Sequence, residues 1–259
     1  MKLAKMEDGN PEIYGPVIQG EGSTQGLPVI FVRLSNCNLY CSWCDSWYTW
    51  YFKGDKRKHD YEEPVDREDY VLTIDNNDVA DYIIDLSTKH DTYNIVFTGG
   101  EPILQQKDIN SVIETLKEKT DKEWYFEVET NGTVKPNDEF IKNITQFNCS
   151  PKLESSGIAE KHRERPEVIQ RLWDIRDIED KNVCFKFVVR RQSLQQDVFE
   201  IYEWQQKNDI ASKAIYLMPE GIEKSQIEET TRMLAELEKN QYNVTTRLHI
   251  LLYGNQRAI

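Results

Sequence analysis

No run of the 259-residue chain approaches the roughly 18–20 apolar residues that a bilayer-spanning helix needs, so the sequence offers no membrane segment. The opening stretch Met1-Lys2-Leu3-Ala4-Lys5-Met6-Glu7-Asp8 is too polar for the apolar region of a secretory signal, and a cytoplasmic protein is the expectation. Basic residues are in deficit: Lys and Arg number 32 against 45 Asp and Glu, a formal charge of −13. That balance argues against a nucleic-acid partner, whose phosphates reward a basic face, while leaving room for a local basic pocket. Cysteine is sparse and odd in number, five in all, and three fall within eight residues. Such clustering excludes a disulfide framework and points to metal or redox chemistry. Low-complexity linkers and internal repeats are absent, so a single domain over residues 1–259 is expected.

What is present is alternation. Residues 29–35 (VIFVRLS) form a short β-branched run that predicts a buried strand. The cysteine-rich stretch 36–48 follows it as a loop. A charged segment over about 53–74, densest from 53 to 70, is poor in apolar side chains and predicts an exposed insertion. A helix is expected over 77–88, capped by Asn77 or Asp78, with further helices over 108–119, 194–206 and 223–239. Strands are expected over 94–98, 125–129, 144–149, 183–190, 214–218 and 244–249. About six strand–helix units imply an α/β fold with a mostly parallel sheet, short of the eight units of a closed barrel. Ligands of such sheets bind beyond the carboxyl ends of the strands.

Cys37, Cys41 and Cys44 form C-x3-C-x2-C, close enough in sequence to wrap one inorganic centre. Structural zinc requires a fourth protein ligand at matching spacing, and the next candidates, His59, His90 and Cys149, stand apart. A [4Fe–4S] cluster held by three cysteines leaves one iron without a protein ligand, and an open position marks a reactive site. The spacing alone leaves both readings open.

The cysteine loop after the first strand, followed by Thr98-Gly99-Gly100-Glu101-Pro102 after the next, resembles the radical S-adenosylmethionine (SAM) superfamily. Within it the chain is most similar to the 7-carboxy-7-deazaguanine synthase family, from about Ile13 onward. Six stretches in order carry the resemblance: Gly15 to Gly22 (GPVIQGEG), Phe31 to Leu34 (FVRL), Trp43 to Ser46 (WCDS), the Gly-Gly-Glu-Pro loop, Ser150-Pro151-Lys152, and Leu248 to Asn255 (LHILLYGN). The resemblance implies a partial (β/α)6-type barrel with mostly parallel strands and a modified, shortened core. It implies a [4Fe–4S] cluster on Cys37, Cys41 and Cys44 whose open iron chelates SAM, and a 5′-deoxyadenosyl radical released on one-electron reduction. It further implies conversion of 6-carboxy-5,6,7,8-tetrahydropterin to 7-carboxy-7-deazaguanine with loss of ammonia, for 7-deazapurine (queuosine-type) biosynthesis. A flavodoxin- or ferredoxin-type electron donor, a homodimer, and no side-chain nucleophile come with it.

Each motif has a bland reading beside the functional one. Ile18, Gln19 and Gly20 precede the first strand in a Gly-rich turn; the resemblance makes them a substrate site. Arg33 interrupts an apolar strand, where an unpaired guanidinium is costly. It pairs either with an internal acid or, as the resemblance implies, with the substrate carboxylate. Ser46 stands where the family places a hydroxyl on Mg²⁺, an ion that favours hard oxygens. By resemblance Thr98 touches substrate, while Trp43, Cys44, Asp45, Gly100 and Ser150-Pro151-Lys152 serve SAM. Glu101 is a ligand-binding carboxylate or a solvated loop residue. Glu129 serves SAM or stabilises a turn, and His249 contacts substrate or caps the last strand. Cys149 and Cys184 read as small core residues. Asn36 stands where many relatives have Gly, and Asn tolerates the left-handed region. Two rivals remain: a glycyl-radical activating enzyme acting on a protein, and a zinc-organised binding module without catalysis.

Overall fold

The computed structural model describes residues 1–57, 59–178, 181–237 and 241–258. Its strands are β1 (Lys2–Ala4), β2 (Ile13–Ile18), β3 (Pro28–Leu34), β4 (Val71–Thr73), β5 (Asn94–Gly99), β6 (Tyr125–Thr130), β7 (Gln146–Cys149), β8 (Asn182–Val189), β9 (Ile215–Pro219) and β10 (Asn243–Val244). The helices are α1 (Arg67–Tyr70), α2 (Asn76–His90), α3 (Gln106–Lys119), α4 (Asp138–Asn143), α5 (Glu160–Arg163), α6 (Pro166–Ile178), α7 (Leu194–Asn208), α8 (Lys224–Ala235) and α9 (Leu248–Tyr253).

Among the described residues the strands form one sheet in the order β10-β9-β8-β7-β6-β5-β3-β1-β4, with β2 also beside β3. Every pair from β3 to β10 is parallel, whereas β1 and β2 run antiparallel to β3 and β4 antiparallel to β1. The sheet does not close, as expected of a partial barrel with about six strand–helix units.

Strand alternation divides this sheet into two chemically different faces. Val32 and Leu34 of β3, Phe126 and Val128 of β6, and Phe185, Phe187 and Val189 of β8 face the main apolar core. Opposite them come Ile83 of α2, Ile109, Val112 and Leu116 of α3, Leu172 of α6 and Ile201 of α7. Each such side chain contributes about 1.5–3 kcal/mol of burial. The residues between them, Arg33, Glu127, Glu129 and Lys186 among them, point to the other face, so the concave side of the sheet is polar. That face is the inside of the open barrel.

Several expectations shift. Helix α2 is capped by Asp75, whose side chain accepts from the Asn77 amide at 2.8 Å, two residues before the nearer of the expected caps, Asn77 and Asp78. The run expected as a last strand over 244–249 is strand only at β10; Leu248–Tyr253 is helix α9. Its apolar run is short enough to satisfy either period. The helix expected over 223–239 is shorter, Lys224–Ala235 with Glu236 as its C-cap; the expected end at Lys239 lies outside the described residues. Helix α6 went unforeseen, although Val168, Ile169, Leu172 and Ile175 recur at helical spacing behind Pro166, a favourable first residue. The charged insertion contributes α1 and β4, the latter pairing β1; Lys58 within it is outside the described residues. No described helix is long and apolar enough to cross a membrane.

Candidate active site

A cavity of about 460 Å³ opens on the polar face at the carboxyl ends of the parallel strands, within the usual range for small-molecule sites. Its wall brings together Ile18, Gln19, Gly20, Arg33, Thr98 and His249, the residues expected at substrate. The same wall holds Trp43, Cys44, Asp45, Gly100, Glu129, Ser150 and Lys152, together with Cys37, Cys41 and Ser46. Pro151 is the exception: it is buried behind the wall and does not line it.

The cysteine loop is shaped by its neighbours. Asn36 adopts φ 77°, the left-handed conformation anticipated for it. Its carbonyl accepts from the Glu101 amide at 2.8 Å, and Leu34 O accepts from the Gly100 amide at 2.9 Å. These bonds seat the Gly-Gly-Glu-Pro loop directly on the cysteine loop. Glu101 is neither solvated nor aimed at a ligand, correcting both readings of it. It is fully buried and accepts from the amides of Ile103 (3.0 Å) and Asn131 (2.7 Å) and the hydroxyl of Thr130 (2.8 Å). It ties three loops together.

The three thiols fit a cluster better than a single ion. Burial pushes all three up, Cys41 to about 12, so without a metal they keep their protons. Thiols this well buried suit a centre that absorbs thiolate charge. His59, a candidate fourth ligand, is committed elsewhere. Its Nε2 lies 2.9 Å from Cys44 O, and its Nδ1 accepts from the amides of Tyr61 (3.2 Å) and Glu62 (3.1 Å). The insertion thus folds back on the cysteine loop. Trp47, Trp50 and Tyr51 surround the His59 ring.

Charge alternates around the wall. Asp45 pairs with Arg247, Arg247 Nε with Glu21 Oε1 at 2.9 Å, Glu21 with Lys186, and Lys186 lies 4.0 Å from Glu129 Oε1. Arg247 also donates to Gly221 O at 2.7 Å. Burial alone would raise the Glu21 carboxyl, but Lys186 and Arg247 outweigh it and hold Glu21 well below the usual range. Asp45 is lowered in the same way, Arg247 again outweighing burial. Glu129 accepts from Thr98 Oγ1 at 2.6 Å, joining β6 to β5. His249 sits on α9 and not at a strand end. Its ring packs so closely over Gly20 that a Cβ there would come within 2.0 Å of Nδ1. Burial lowers its pKa, so the imidazole is neutral at physiological pH.

The segment from Gln19 to Gln25 crosses the concave face, and its first three residues, Gln19, Gly20 and Glu21, line the cavity floor. Leu248 N donates to Gly20 O at 2.9 Å, and Gln25 Nε2 to Thr246 O at 3.0 Å. Gln19 Nε2 donates to Glu127 at 2.6 Å and to Glu129 at 3.3 Å, while its Oε1 accepts from Glu21 N at 3.2 Å. Glu127 also accepts from Asn148, whose Oδ1 takes Gln146 (2.7 Å) and the Cys184 thiol (2.9 Å). Cys184 is therefore part of a polar network and not an apolar filler; Cys149 does belong to the core, beneath Gly132.

Burial and the nearby charge of Glu129 raise Glu127 from 4.5 to about 7, and its Oε2 is buried without a hydrogen-bond partner. Between those pH values only the unfolded chain releases the proton, so this carboxyl lowers stability as pH rises through the window. The loss is of order 3 kcal/mol above pH 7. Glu127→Gln keeps an oxygen for Gln19 and Asn148 but does not titrate. Its thermal midpoint is expected to match wild type near pH 5 and exceed it by about 5–10 °C at pH 8. An equal offset at both pH values would show that Glu127 does not carry this titration.

Sequence reasoning missed Glu12, Glu21, Glu127, Asn148, Lys186 and Arg247. Lys186 carried the same signal as Arg33, a cation inside an apolar strand (VCFKFVV), and Glu127 alternates with core residues two positions before Glu129.

Residues 32–153 match the family model described as the Radical SAM superfamily. The chain is 30% identical over 251 residues to the 7-carboxy-7-deazaguanine synthase of Rhodopirellula baltica, covering 93% of this chain and 84% of that protein. It is 27% identical over 243 residues to the protein of that name from Pyrobaculum aerophilum, covering 93% of each. The crystal structure of QueE from Escherichia coli aligns with a TM-score of 0.61 at 19% identity, over 96% of this chain and 95% of that one. That likeness is one of fold.

Proposed function

This chain belongs to the 7-carboxy-7-deazaguanine synthase family of the radical SAM superfamily, and from that premise we propose how its own residues seat and convert a carboxylated pterin. The activity is that of a radical SAM enzyme of 7-deazapurine biosynthesis, which turns 6-carboxy-5,6,7,8-tetrahydropterin into 7-carboxy-7-deazaguanine with loss of ammonia. Membership sets aside the glycyl-radical and zinc-module readings.

When bound, the [4Fe–4S] cluster and SAM would supply the one-electron, hydrogen-abstracting chemistry directed at C6 of the substrate. Cys37, Cys41 and Cys44 would hold the cluster, while Gly100, Glu129, Ser150 and Lys152, with Trp43 and Asp45, would receive SAM. Lys152 Nζ lies 2.9 Å from Ser150 Oγ, a cation and hydroxyl placed together for a carboxylate or ribose. Arg33 would receive the substrate carboxylate. Its Nε is held by Glu12 at 2.8 Å and one Nη by Tyr14 OH at 3.0 Å. The internal acid foreseen as an alternative partner thus exists, and it aims the guanidinium instead of consuming it. Gln19, Thr98 and His249 would flank the ring. The Gln19 side chain acts more by bracing Glu127 and Glu129 than by direct contact, since it is 1% exposed.

Ser46 would offer Mg²⁺ one buried hydroxyl, which lies 3.6 Å from Cys44 Sγ, and the remaining oxygens would come from substrate and water. Such an ion would orient the substrate and absorb negative charge. A one-electron donor of flavodoxin or ferredoxin type, a homodimeric state, a cytoplasmic location and a single-domain organisation complete the proposal.

The observation that carries it is the convergence of three thiols and a polar barrel interior on one cavity. The test is anaerobic reconstitution, then incubation with SAM, dithionite and the carboxypterin, reading ammonium and the deazaguanine chromophore. Arg33→Ala is expected to lower kcat/KM about 10- to 100-fold. Unchanged turnover would remove Arg33 from the pocket, and no pterin turnover by wild type would remove the substrate.

A further inference from the structure

We propose that Arg257, on the tail after α9, is a second guanidinium for the substrate carboxylate and sets the site's preference for a carboxylated pterin over the same ring without its acid. The proposal rests on the substrate reading above and deepens it.

The argument begins at Glu12, which is 0% exposed. Its Oε1 accepts from Arg33 Nε at 2.8 Å and Tyr48 OH at 3.0 Å. Its Oε2 accepts from Arg257 Nε at 3.0 Å and from Arg257 Nη2. One carboxylate therefore holds two guanidiniums. Their other partners are neutral: Tyr14 OH for Arg33, and the Lys5 carbonyl, at 2.7 Å, for Arg257. The nearest further acid on this side, Asp45, is paired with Arg247.

Within this trio two positive charges face one carboxylate, while Asp45, which shares Arg247 with Glu21, also acts on Arg33. Both guanidiniums line the reaction cavity, and Nη1 of each makes no hydrogen bond to a described residue. Arg257 also lies 4.0 Å over the Tyr48 ring, which fixes the plane of its fork. A monoanion with planar, paired oxygens is the ligand that suits such an arrangement.

Arg257 would look similar if it merely pinned the tail, and binding of two ligands separates the roles. The reconstituted enzyme, with SAM and without reductant, is titrated with 6-carboxypterin and with pterin by fluorescence. Wild type is expected to favour 6-carboxypterin. Arg257→Ala is expected to weaken 6-carboxypterin about 10- to 100-fold while moving pterin less than about threefold. Arg257→Lys should recover part of the difference, as a charge without the fork. Equal weakening of both ligands would make Arg257 a tail anchor and overturn the proposal alone. A wild type that binds both equally, or neither, would overturn the substrate reading and this proposal with it. Cluster absorbance confirms that each variant remains loaded.

Discussion

Alanine at Gly100 is expected to lower SAM cleavage at least about 100-fold, because one methyl group would separate the two loops that build the cofactor site. A Cβ at this position would meet Asn36 O at 1.9 Å and Asn36 C at 2.5 Å. Both atoms are backbone, so no side chain can swing aside. Relief demands that the Gly-Gly-Glu-Pro loop retreat from the cysteine loop, breaking Gly100 N to Leu34 O and Glu101 N to Asn36 O. Asn36 directly precedes Cys37, so the displacement reaches the first thiol. Iron and sulfide content should fall only partly, since the cysteines remain, whereas 5′-deoxyadenosine formed with dithionite should nearly vanish. Near-normal deoxyadenosine from this variant would show that the close approach has no bearing on cofactor geometry.

Arg247→Ala is expected to be the most destabilising substitution in the wall, at about 2–3 kcal/mol, because only the Glu21 side of its pairing is buried. The guanidinium is buried and satisfies partners from three segments: Gly221 O, Glu21 and Asp45. Removing it leaves the half-exposed Asp45 without its cation and the buried Glu21 with Lys186 alone. A fall of about 10 °C in thermal midpoint should follow. Arg247→Lys retains the charge but cannot reach all three partners, and should restore less than half of the loss. A midpoint within about 2 °C of wild type for Arg247→Ala would show that the pairs are screened and contribute little.

How much of this was legible depends on range. The cysteine loop, the Gly-Gly-Glu-Pro loop and the strands β3, β5, β6 and β8 announce themselves through spacing and alternation, which are local. Arg33 was legible for the same reason, as a charge where the pattern demands an apolar residue, and Val32 and Leu34 do face the core. Glu12 and Glu21 gave no such sign. Their meaning lies in Arg33, Arg257, Lys186 and Arg247, which fold against them from remote parts of the chain. The stretch Leu248–Tyr253 failed for a different reason: six mostly apolar residues satisfy both a buried strand and a short helix, and only packing over Gly20 decides. The insertion looked like solvated charge because its few anchors, His59 and the Val71–Thr73 strand, act through backbone bonds that composition does not record.

The cavity floor has a consequence for synthesis. Gln25 and Thr246 are bonded across 221 positions, and Glu21 and Arg247 across 226. At about 5–20 residues per second of translation, the early segment waits on the order of 10–45 s for its partners to leave the ribosome. Through that interval the strands β3 to β10 are made one after another without the bonds from Thr246 and Arg247 that close over them. A ribosome stalled before Thr246 would therefore display a chain that holds most of its parallel sheet yet lacks the Gln25–Thr246 and Glu21–Arg247 bonds across it.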